Sequence, residues 1–328
     1  MMTHTIKNIA VFTSGGDSPG MNAAIRAVVR SCIYHGIGVF GIKRGFEGMI
    51  DGDIIEMRSD SVSNIIQRGG TMLKSARSER FRTEEGRAQA YRNLQDKGID
   101  GLIAIGGDGT FSGALQFSKE FDIPVVGIPG TIDNDLFGTD YTLGYDTAIN
   151  TALDAIDRIR DTADSHDRLF FIEVMGRDAG FIALETGIAG GAEAILVPET
   201  KTNIDQLMAT LKRGWKRNKS SMIVVVAEGD EEGGAFEVAR KVKNRFDHFD
   251  IRVSVLGHIQ RGGKPSCMDR VLGSRLGVAS VEALLAGKRN VMTGIINNQV
   301  HFTAFDKAVK HHMDIDPAML KLVEILSN

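Results

Sequence analysis

Cysteine is nearly absent from this chain: two occur in 328 residues, Cys32 and Cys267. They lie far apart and outside metal-ligand spacing, which argues against a disulfide framework and against a zinc site. Both are read as small helix residues. Proline occurs six times, so no rigid linker marks a domain boundary. No apolar run approaches the roughly 20 residues that span a bilayer. The opening MMTHTIKNIAVF lacks a charged stretch followed by a long apolar one, so no secretory leader is expected. Charge of one sign is also missing. Lys and Arg number 39 against 42 Asp and Glu, a net charge of -3, which disfavours nucleic acid or an anionic membrane as the main partner. A cytoplasmic protein is expected. Small anions remain suitable ligands, because they need only a local cluster of Arg and Lys. There is no G-x-x-x-x-G-K-[ST] loop, so any nucleotide is held in another way. Gly36-Ile-Gly-Val-Phe-Gly41 matches G-x-G-x-x-G, but it follows a helical segment and runs into a strand, the reverse of the dinucleotide fingerprint.

What is present is alternation. Apolar runs at Ile9–Phe12, Gly101–Ile105, Pro124–Ile128, Leu169–Val174, Met222–Ala227 and Val253–Leu256 read as strands. Between them, Asn22–Tyr34, Glu84–Lys97, Thr147–Ile159, Asp205–Lys216 and Phe236–Phe246 have helical period. Strand and helix in turn predict α/β architecture, a parallel sheet covered on both faces. The length suits two such domains. The chain is expected to cross to the second near residue 144 and return near 257, with Glu228–Gly234 as a loop tip.

Glycine is abundant, 38 residues, and clusters just after the strands: Gly15-Gly16, Gly106-Gly107, Gly130 and Gly176. In open α/β sheets that edge holds ligands, and glycine lets the backbone approach them. Thr13-Ser-Gly-Gly-Asp-Ser-Pro-Gly-Met-Asn22 and Ile105-Gly-Gly-Asp-Gly-Thr110 each pass from strand to helix, aiming N–H groups and a positive helix end at an anion. Asp108 within the second turn would repel that anion unless a cation such as magnesium intervened. It is equally readable as a helix cap.

Pro129-Gly-Thr-Ile-Asp-Asn-Asp135 carries carboxylates at Asp133 and Asp135. Phosphoryl transfer to an alcohol needs a carboxylate that takes the hydroxyl proton, although Asp and Asn also build Asx-turns. Arg77, Arg168, Arg177, Arg252 and Arg261 each adjoin an apolar run or glycine turn, where a guanidinium can grip phosphate with paired hydrogen bonds. His258, with Gln260 and Arg261 in Gly257-His-Ile-Gln-Arg-Gly-Gly263, suits a phosphate or sugar hydroxyl. His311 and His312 are read as a solvated pair.

These strings, with Gly69-Gly-Thr71, Ser75-Ala-Arg77 and Glu173-Val-Met-Gly-Arg177, resemble the bacterial ATP-dependent 6-phosphofructokinases over nearly the whole length. The resemblance implies transfer of the γ-phosphoryl of MgATP to the 1-hydroxyl of fructose 6-phosphate, a glycolytic step. It implies two Rossmann-like three-layer αβα domains with the active site in the cleft between them. The larger, nucleotide-binding domain would be residues 1–143 plus 257–308, and the smaller, sugar-phosphate domain 144–256 plus 309–328. ATP would meet Gly16, Arg77, Ser78, Gly107, Asp108, Gly109 and Thr110, with Asp108 on Mg2+. Asp133 would be the base, with Thr131, Arg77 and Arg177 as catalytic companions. Thr131, Ile132, Asp133, Met175, Gly176, Arg177, Glu228, His258, Ile259, Gln260 and Arg261 would hold the sugar. Arg168 and Arg252 would reach the 6-phosphate from a neighbouring subunit, in a homotetramer. Asp108 and Asp133 are thereby expected to converge on one site.

Gly109 and Gly130 stand where pyrophosphate users of the family usually carry Asp and Lys, so ATP is favoured as donor. A regulatory site for ADP or phosphoenolpyruvate is implied at Arg26, Arg30, Arg160, Gly191, Glu193, Arg217 and Lys219. Ser59, Asn64, Ser220 and Ser221 depart from that pattern, and Lys74 stands where glycine is frequent. Three rivals are weighed. A pyrophosphate-dependent enzyme differs only in donor. A non-catalytic sensor would have lost Asp133, Arg77 or Arg177, and an oxidoreductase would need the dinucleotide turn.

Overall fold

In the computed structural model, residues 6–166, 168–217, 219, 221–245, 250–310 and 313–326 are described. They form two compact units. The first is Met1–Ile132, Leu136–Thr147 and Arg261–Met313; the second is Asp133–Asp135, Ala148–Gln260 and Asp314–Asn328. The crossings at 147/148, 260/261 and 313/314 fall a few residues beyond those expected, and Asp133–Asp135 belongs to the second unit.

The chain begins in the first unit with β1 (Asn8–Thr13), α1 (Met21–Tyr34), β2 (Gly38–Ile42), α2 (Gly45–Asp51), β3 (Ile54–Glu56), α3 (Glu84–Asp96), β4 (Gly101–Gly106), α4 (Asp108–Phe121) and β5 (Val125–Pro129). Helix α5 (Tyr145–Asp164) leads to β6 (Arg168–Val174), α6 (Phe181–Ala189), β7 (Ala194–Leu196), α7 (Ile204–Lys216), β8 (Met222–Ala227), α8 (Gly234–Lys243) and β9 (Asp250–Val255). The return supplies α9 (Cys267–Leu285), β10 (Val291–Ile296), β11 (Gln299–Ala304) and α10 (Phe305–Lys310), and α11 (Pro317–Leu326) closes the chain. Phe246, the expected end of α8, and the His311–His312 pair lie outside the described residues, as does Ser220.

The first sheet has the order β11-β10-β5-β4-β1-β2-β3. Its centre is parallel, while β3 and β11 pair antiparallel at the edges. Alternation explains the two covering layers. Ile9, Val11, Ile103, Ile105, Val126 and Ile128 pack with Ile25 and Val28 of α1 and Leu276 of α9. Their strand neighbours Ala10, Phe12, Leu102, Ala104 and Val125 pack on the opposite side with Phe111 and Phe117 of α4. Such strands are apolar on both faces, the mark of a buried parallel sheet. The order reverses between β1 and β4, and open α/β sheets bind ligands at such a point.

The second unit has a four-stranded sheet, β7-β8-β6-β9, parallel throughout. Leu169, Phe171, Met222, Val224 and Val226 pack against Leu207 and Leu211 of α7 and Val238 of α8. Helix starts follow local chemistry. Asn203 accepts the Gln206 N–H at 3.0 Å to cap α7, and Ser266 accepts the Asp269 N–H at 3.1 Å to cap α9. Burial pushes the Cys32 thiol up to about 12, so it behaves as a small core residue. Among the described residues no helix is long and apolar enough to cross a membrane.

Candidate active site

In the first unit, the turns after β1, β4 and β5 are tied to one another. Ser14 N–H donates to the Ile105 carbonyl at 3.0 Å and Gly130 N–H to the Gly106 carbonyl at 3.0 Å. The Thr110 hydroxyl donates to the Ser14 carbonyl at 3.2 Å. Gly16, Gly107, Asp108, Gly109 and Thr110 are therefore held on one edge of the sheet, at the switch between β1 and β4. Gly107 is the N-cap of α4 and Asp108 its first residue. The Asp108 carboxylate accepts the Gly109 N–H at 2.7 Å through one oxygen, and its second oxygen has no hydrogen bond among the described residues. Among the described residues no group of three or more His, Cys, Asp or Glu is arranged to hold a metal ion.

The glycines have different reasons. A β-carbon on Gly106 would lie 2.3 Å from the Thr110 hydroxyl and 2.4 Å from the Ser14 carbonyl. One on Gly130 would press on Ile105 and Met21, both at 3.0 Å. Packing against core side chains is therefore sufficient reason for glycine at position 130. A β-carbon on Gly109 would meet nothing within 4 Å, so the fold does not demand glycine at that position. A β-carbon on Gly16 would lie 2.7 Å from the Arg261 guanidinium, which donates to the Asp17 carbonyl at 3.3 Å. Arg261 thus rests on the first glycine turn.

The segment carrying Arg77 is anchored on both sides. The Ser75 hydroxyl donates to the Gly15 carbonyl at 2.5 Å. Phe81 stacks on Phe46 with ring centroids 4.0 Å apart, and Phe46 meets Phe12 of β1 at 4.9 Å. The Ser78 hydroxyl is turned onto Glu47 at 2.5 Å. The Arg80 guanidinium joins Glu47, at 2.7 Å from Nε, to Asp51 at 2.5 Å. Hydrogen bonds from Ser78 and then Arg80 hold Glu47 below the usual carboxylate range, and Arg80 does the same for Asp51. Arg77 is exposed. Thr131 and Ile132 are buried after β5, where the Thr131 carbonyl accepts the Thr142 hydroxyl at 2.7 Å.

In the second unit, Asp133 is 1% exposed, and the Arg177 Nε lies 3.5 Å from its carboxylate. Arg177 takes φ 52 and Gly176 φ 144, a turn that swings the chain out of β6. Glu228, just past β8, accepts the Arg177 N–H at 2.8 Å and the Gly176 N–H at 3.3 Å. Gln260, fully buried after β9, accepts the Met175 N–H at 2.9 Å. His258 and Ile259, in the same short turn, are exposed. The carboxyl ends of three parallel strands thus assemble Met175, Gly176, Arg177, Glu228 and Gln260.

Arg168 and Arg252 are elsewhere. Arg168 opens β6 and Arg252 lies early in β9, both bound to Asp250, at 3.0 Å and 2.8 Å. One length of β6, about 20 Å for a strand of this size, separates Arg168 from Met175. Of the expected regulatory residues, Arg160 donates to the carbonyls of Gly190 and, at 3.0 Å, Gly191. Lys219 pairs with Glu193 at 2.8 Å, and Glu193 also accepts the Ile223 N–H at 2.8 Å. Arg217 closes α7, while Arg26 and Arg30 lie on α1 of the first unit.

Sequence reasoning overlooked Glu47 and Asp269. Asp269 is buried, accepting N–H groups from Gly144 at 2.7 Å and Thr147 at 2.8 Å. Burial raises its carboxyl above the usual range, against the opposing Thr147 hydroxyl and the Gly144 and Thr147 amides. The Ser266-x-x-Asp269 spacing of a capping box was its one visible signal. Glu47 had none, because its partners lie 31 and 33 residues away.

Parallel α/β sheets with glycine turns at a switch point, and a buried carboxylate beside a guanidinium, place the chain among α/β proteins that carry ligands at the carboxyl edge of a sheet. A family model described as phosphofructokinase matches residues 8–284. ATP-dependent 6-phosphofructokinase 2 of Bacteroides thetaiotaomicron is 54% identical over 98% of this chain and 99% of its own. ATP-dependent 6-phosphofructokinase 1 of Thermus thermophilus is 57% identical over 98% of this chain and 100% of its own. Among solved structures, phosphofructokinase from Saccharomyces cerevisiae superposes with TM-score 0.89 at 35% identity over 98% of this chain, which spans 47% of the yeast chain. A pyrophosphate-dependent phosphofructokinase from Marinobacter aquaeolei gives 0.84 at 25% identity, covering 98% and 91%. The chain belongs to the phosphofructokinase family.

Proposed function

We propose that this protein transfers the γ-phosphoryl group of ATP to the 1-hydroxyl of fructose 6-phosphate. The observation that carries the reading is the pair of Asp133, 1% exposed, and Arg177, 3.5 Å away. A buried carboxylate beside a guanidinium suits proton removal from an alcohol and stabilisation of the charge that moves with the phosphoryl group. The first unit holds the donor and the second the acceptor. Gly16, Arg77 and Gly107–Thr110 bind ATP, with Ser78 acting through Glu47 to place the Arg77 segment. Asp108, with one oxygen available beside the open edge at Gly109, fits magnesium, whose other ligands come from phosphate and water. Magnesium held by Asp108 would neutralise charge on the donor phosphates.

Asp133 accepts the 1-hydroxyl proton as that oxygen attacks. Arg177 faces the transferred group, and Glu228 keeps the Gly176–Arg177 backbone in place. Thr131 and Ile132 lead directly into Asp133. Met175, Gly176, His258, Ile259 and Gln260 line the sugar, and Arg261 bears on the first turn. ATP rather than pyrophosphate is supported by glycine at 109, where packing makes no demand, and by relatives at 54% and 57% identity named as ATP-dependent.

Arg168 and Arg252 lie at the opposite strand ends from Met175 and Glu228. This supports their serving a neighbouring subunit's 6-phosphate in a homotetramer. Arg26, Arg30, Arg160, Gly191, Glu193, Arg217 and Lys219 are assigned to an ADP or phosphoenolpyruvate effector, in a cytoplasmic enzyme. The deciding experiment is a coupled assay of the purified chain with fructose 6-phosphate, magnesium, and ATP or pyrophosphate. Turnover with ATP alone is expected. Turnover with pyrophosphate alone, or faster turnover on sedoheptulose 7-phosphate or tagatose 6-phosphate, contradicts the assignment.

A further inference from the structure

Lys74 is exposed and takes φ 58, the left-handed region that a β-carbon disfavours and glycine meets freely. Its conformation is imposed by its neighbours. The Lys74 N–H donates to the Thr71 carbonyl at 3.1 Å. The Lys74 carbonyl accepts the Thr13 hydroxyl at 2.8 Å, and the next residue, Ser75, donates to the Gly15 carbonyl. Thr13 ends β1 and Gly15 begins the first glycine turn, which Thr110 ties to the turn bearing Asp108. Lys74 is thus fixed at the edge that the proposed donor occupies.

The same segment carries three cations with different commitments. Arg80 is bound to Glu47 and Asp51. Among the described residues Lys74 and Arg77 form no ion pair. A magnesium-bound triphosphate keeps roughly two net negative charges, which two nearby cations balance. A disfavoured backbone held in place by its surroundings, at a position bearing a long cation, points to a ligand-binding use.

We propose that Lys74 is a donor-binding residue whose ammonium neutralises the terminal phosphates of the nucleoside triphosphate alongside Arg77. This rests on reading the turns of the first unit as the donor site. The side chain is a compact charge on a flexible stem, suited to follow phosphate oxygens whose charge shifts during transfer.

The test compares wild type, Lys74→Gly and Lys74→Arg by calorimetric titration with MgATP, by KM for each substrate, and by Tm. Glycine suits φ 58, so Lys74→Gly is expected to melt no lower than wild type. It is expected to bind MgATP about tenfold more weakly, the scale of one charge-assisted hydrogen bond, with KM for fructose 6-phosphate within about twofold. Lys74→Arg should stay within about threefold of wild type for MgATP. Wild-type MgATP affinity in Lys74→Gly overturns the proposal and leaves the donor site standing. Weakening toward both substrates together with a lower Tm makes the lysine structural and also overturns it. A wild-type chain that binds no MgATP overturns both readings.

Discussion

The two edges to which the chemistry is assigned are built by different means. In the first unit the surface proposed to face the ligand is backbone, the glycine turns after β1 and β4 and the start of α4, an arrangement whose N–H groups suit an anion. In the second unit it is side chains: Asp133 and Arg177 pair with each other, while one oxygen each of Glu228 and Gln260 accepts from the Met175–Arg177 backbone. A polyphosphate is recognised by many weak, directional N–H groups. A sugar hydroxyl that must lose a proton needs one carboxylate in one place. The difference predicts how each edge fails. Side-chain changes in the second unit should cost turnover, and backbone-level changes in the first should cost either donor affinity or stability.

The largest effect is expected at Asp133. Asp133→Asn should lower kcat by about a thousandfold or more, with fructose 6-phosphate affinity by calorimetry little changed. Loss of affinity with turnover retained would break the comparison, because the residue would then be a binding group.

Gly109 and Gly106 sharpen it within one turn. Gly109→Asp should leave Tm nearly unchanged, because the added carbon enters open space, and reduce kcat/KM for ATP roughly a hundredfold by repulsion of phosphate. Gly106→Ala should destabilise the fold by about 2 kcal/mol, because its carbon collides with Thr110 and the Ser14 carbonyl. Denaturant melts and donor kinetics on the two variants separate the roles. Equal effects of both on stability would remove the case for a ligand at Gly109.

The smallest effect belongs to Glu47, which ties α2 to the Arg77 segment. The folded state keeps Glu47 and Asp51 ionised to lower pH than the unfolded chain does. The unfolded state therefore binds more protons as pH falls, and stability declines there. The contribution is complete above the usual carboxylate range and disappears below the lowered values. Glu47→Gln should cost about 1 kcal/mol at neutral pH and progressively less on acidification, followed by Tm across pH. A constant difference from neutral to acid pH would remove the ion network from the account.

The legibility of these features in the sequence follows the same division. Apolar runs located β1, β4, β5, β6 and β8, because buried parallel strands are apolar without interruption, and part of the edge strand β9, whereas the inner strands β2 and β10 were not among those runs. The edge strands β3, β7 and β11 are short or half exposed, so their pattern is weak. The glycine turns were visible because backbone geometry writes itself into residue type. Gly130 shows the limit, since a glycine kept for Ile105 and Met21 reads the same as one kept for a ligand. The Asp133–Arg177 pair is separated by 44 positions along the chain. Its members stood out through motif resemblance rather than periodicity. Glu47, Asp269 and the burial of Gln260 depend on contacts that only the folded chain defines.

The central claim is that one proton acceptor, Asp133, directs a phosphoryl group from nucleotide to a sugar alcohol. Phosphorus NMR of wild type with MgATP and fructose 6-phosphate tests it most directly. The account predicts ADP and a new phosphomonoester on carbon 1 in equal amounts, with neither formed at a comparable rate by Asp133→Asn. Inorganic phosphate in place of the sugar ester, or undiminished ester formation by Asp133→Asn, would contradict it.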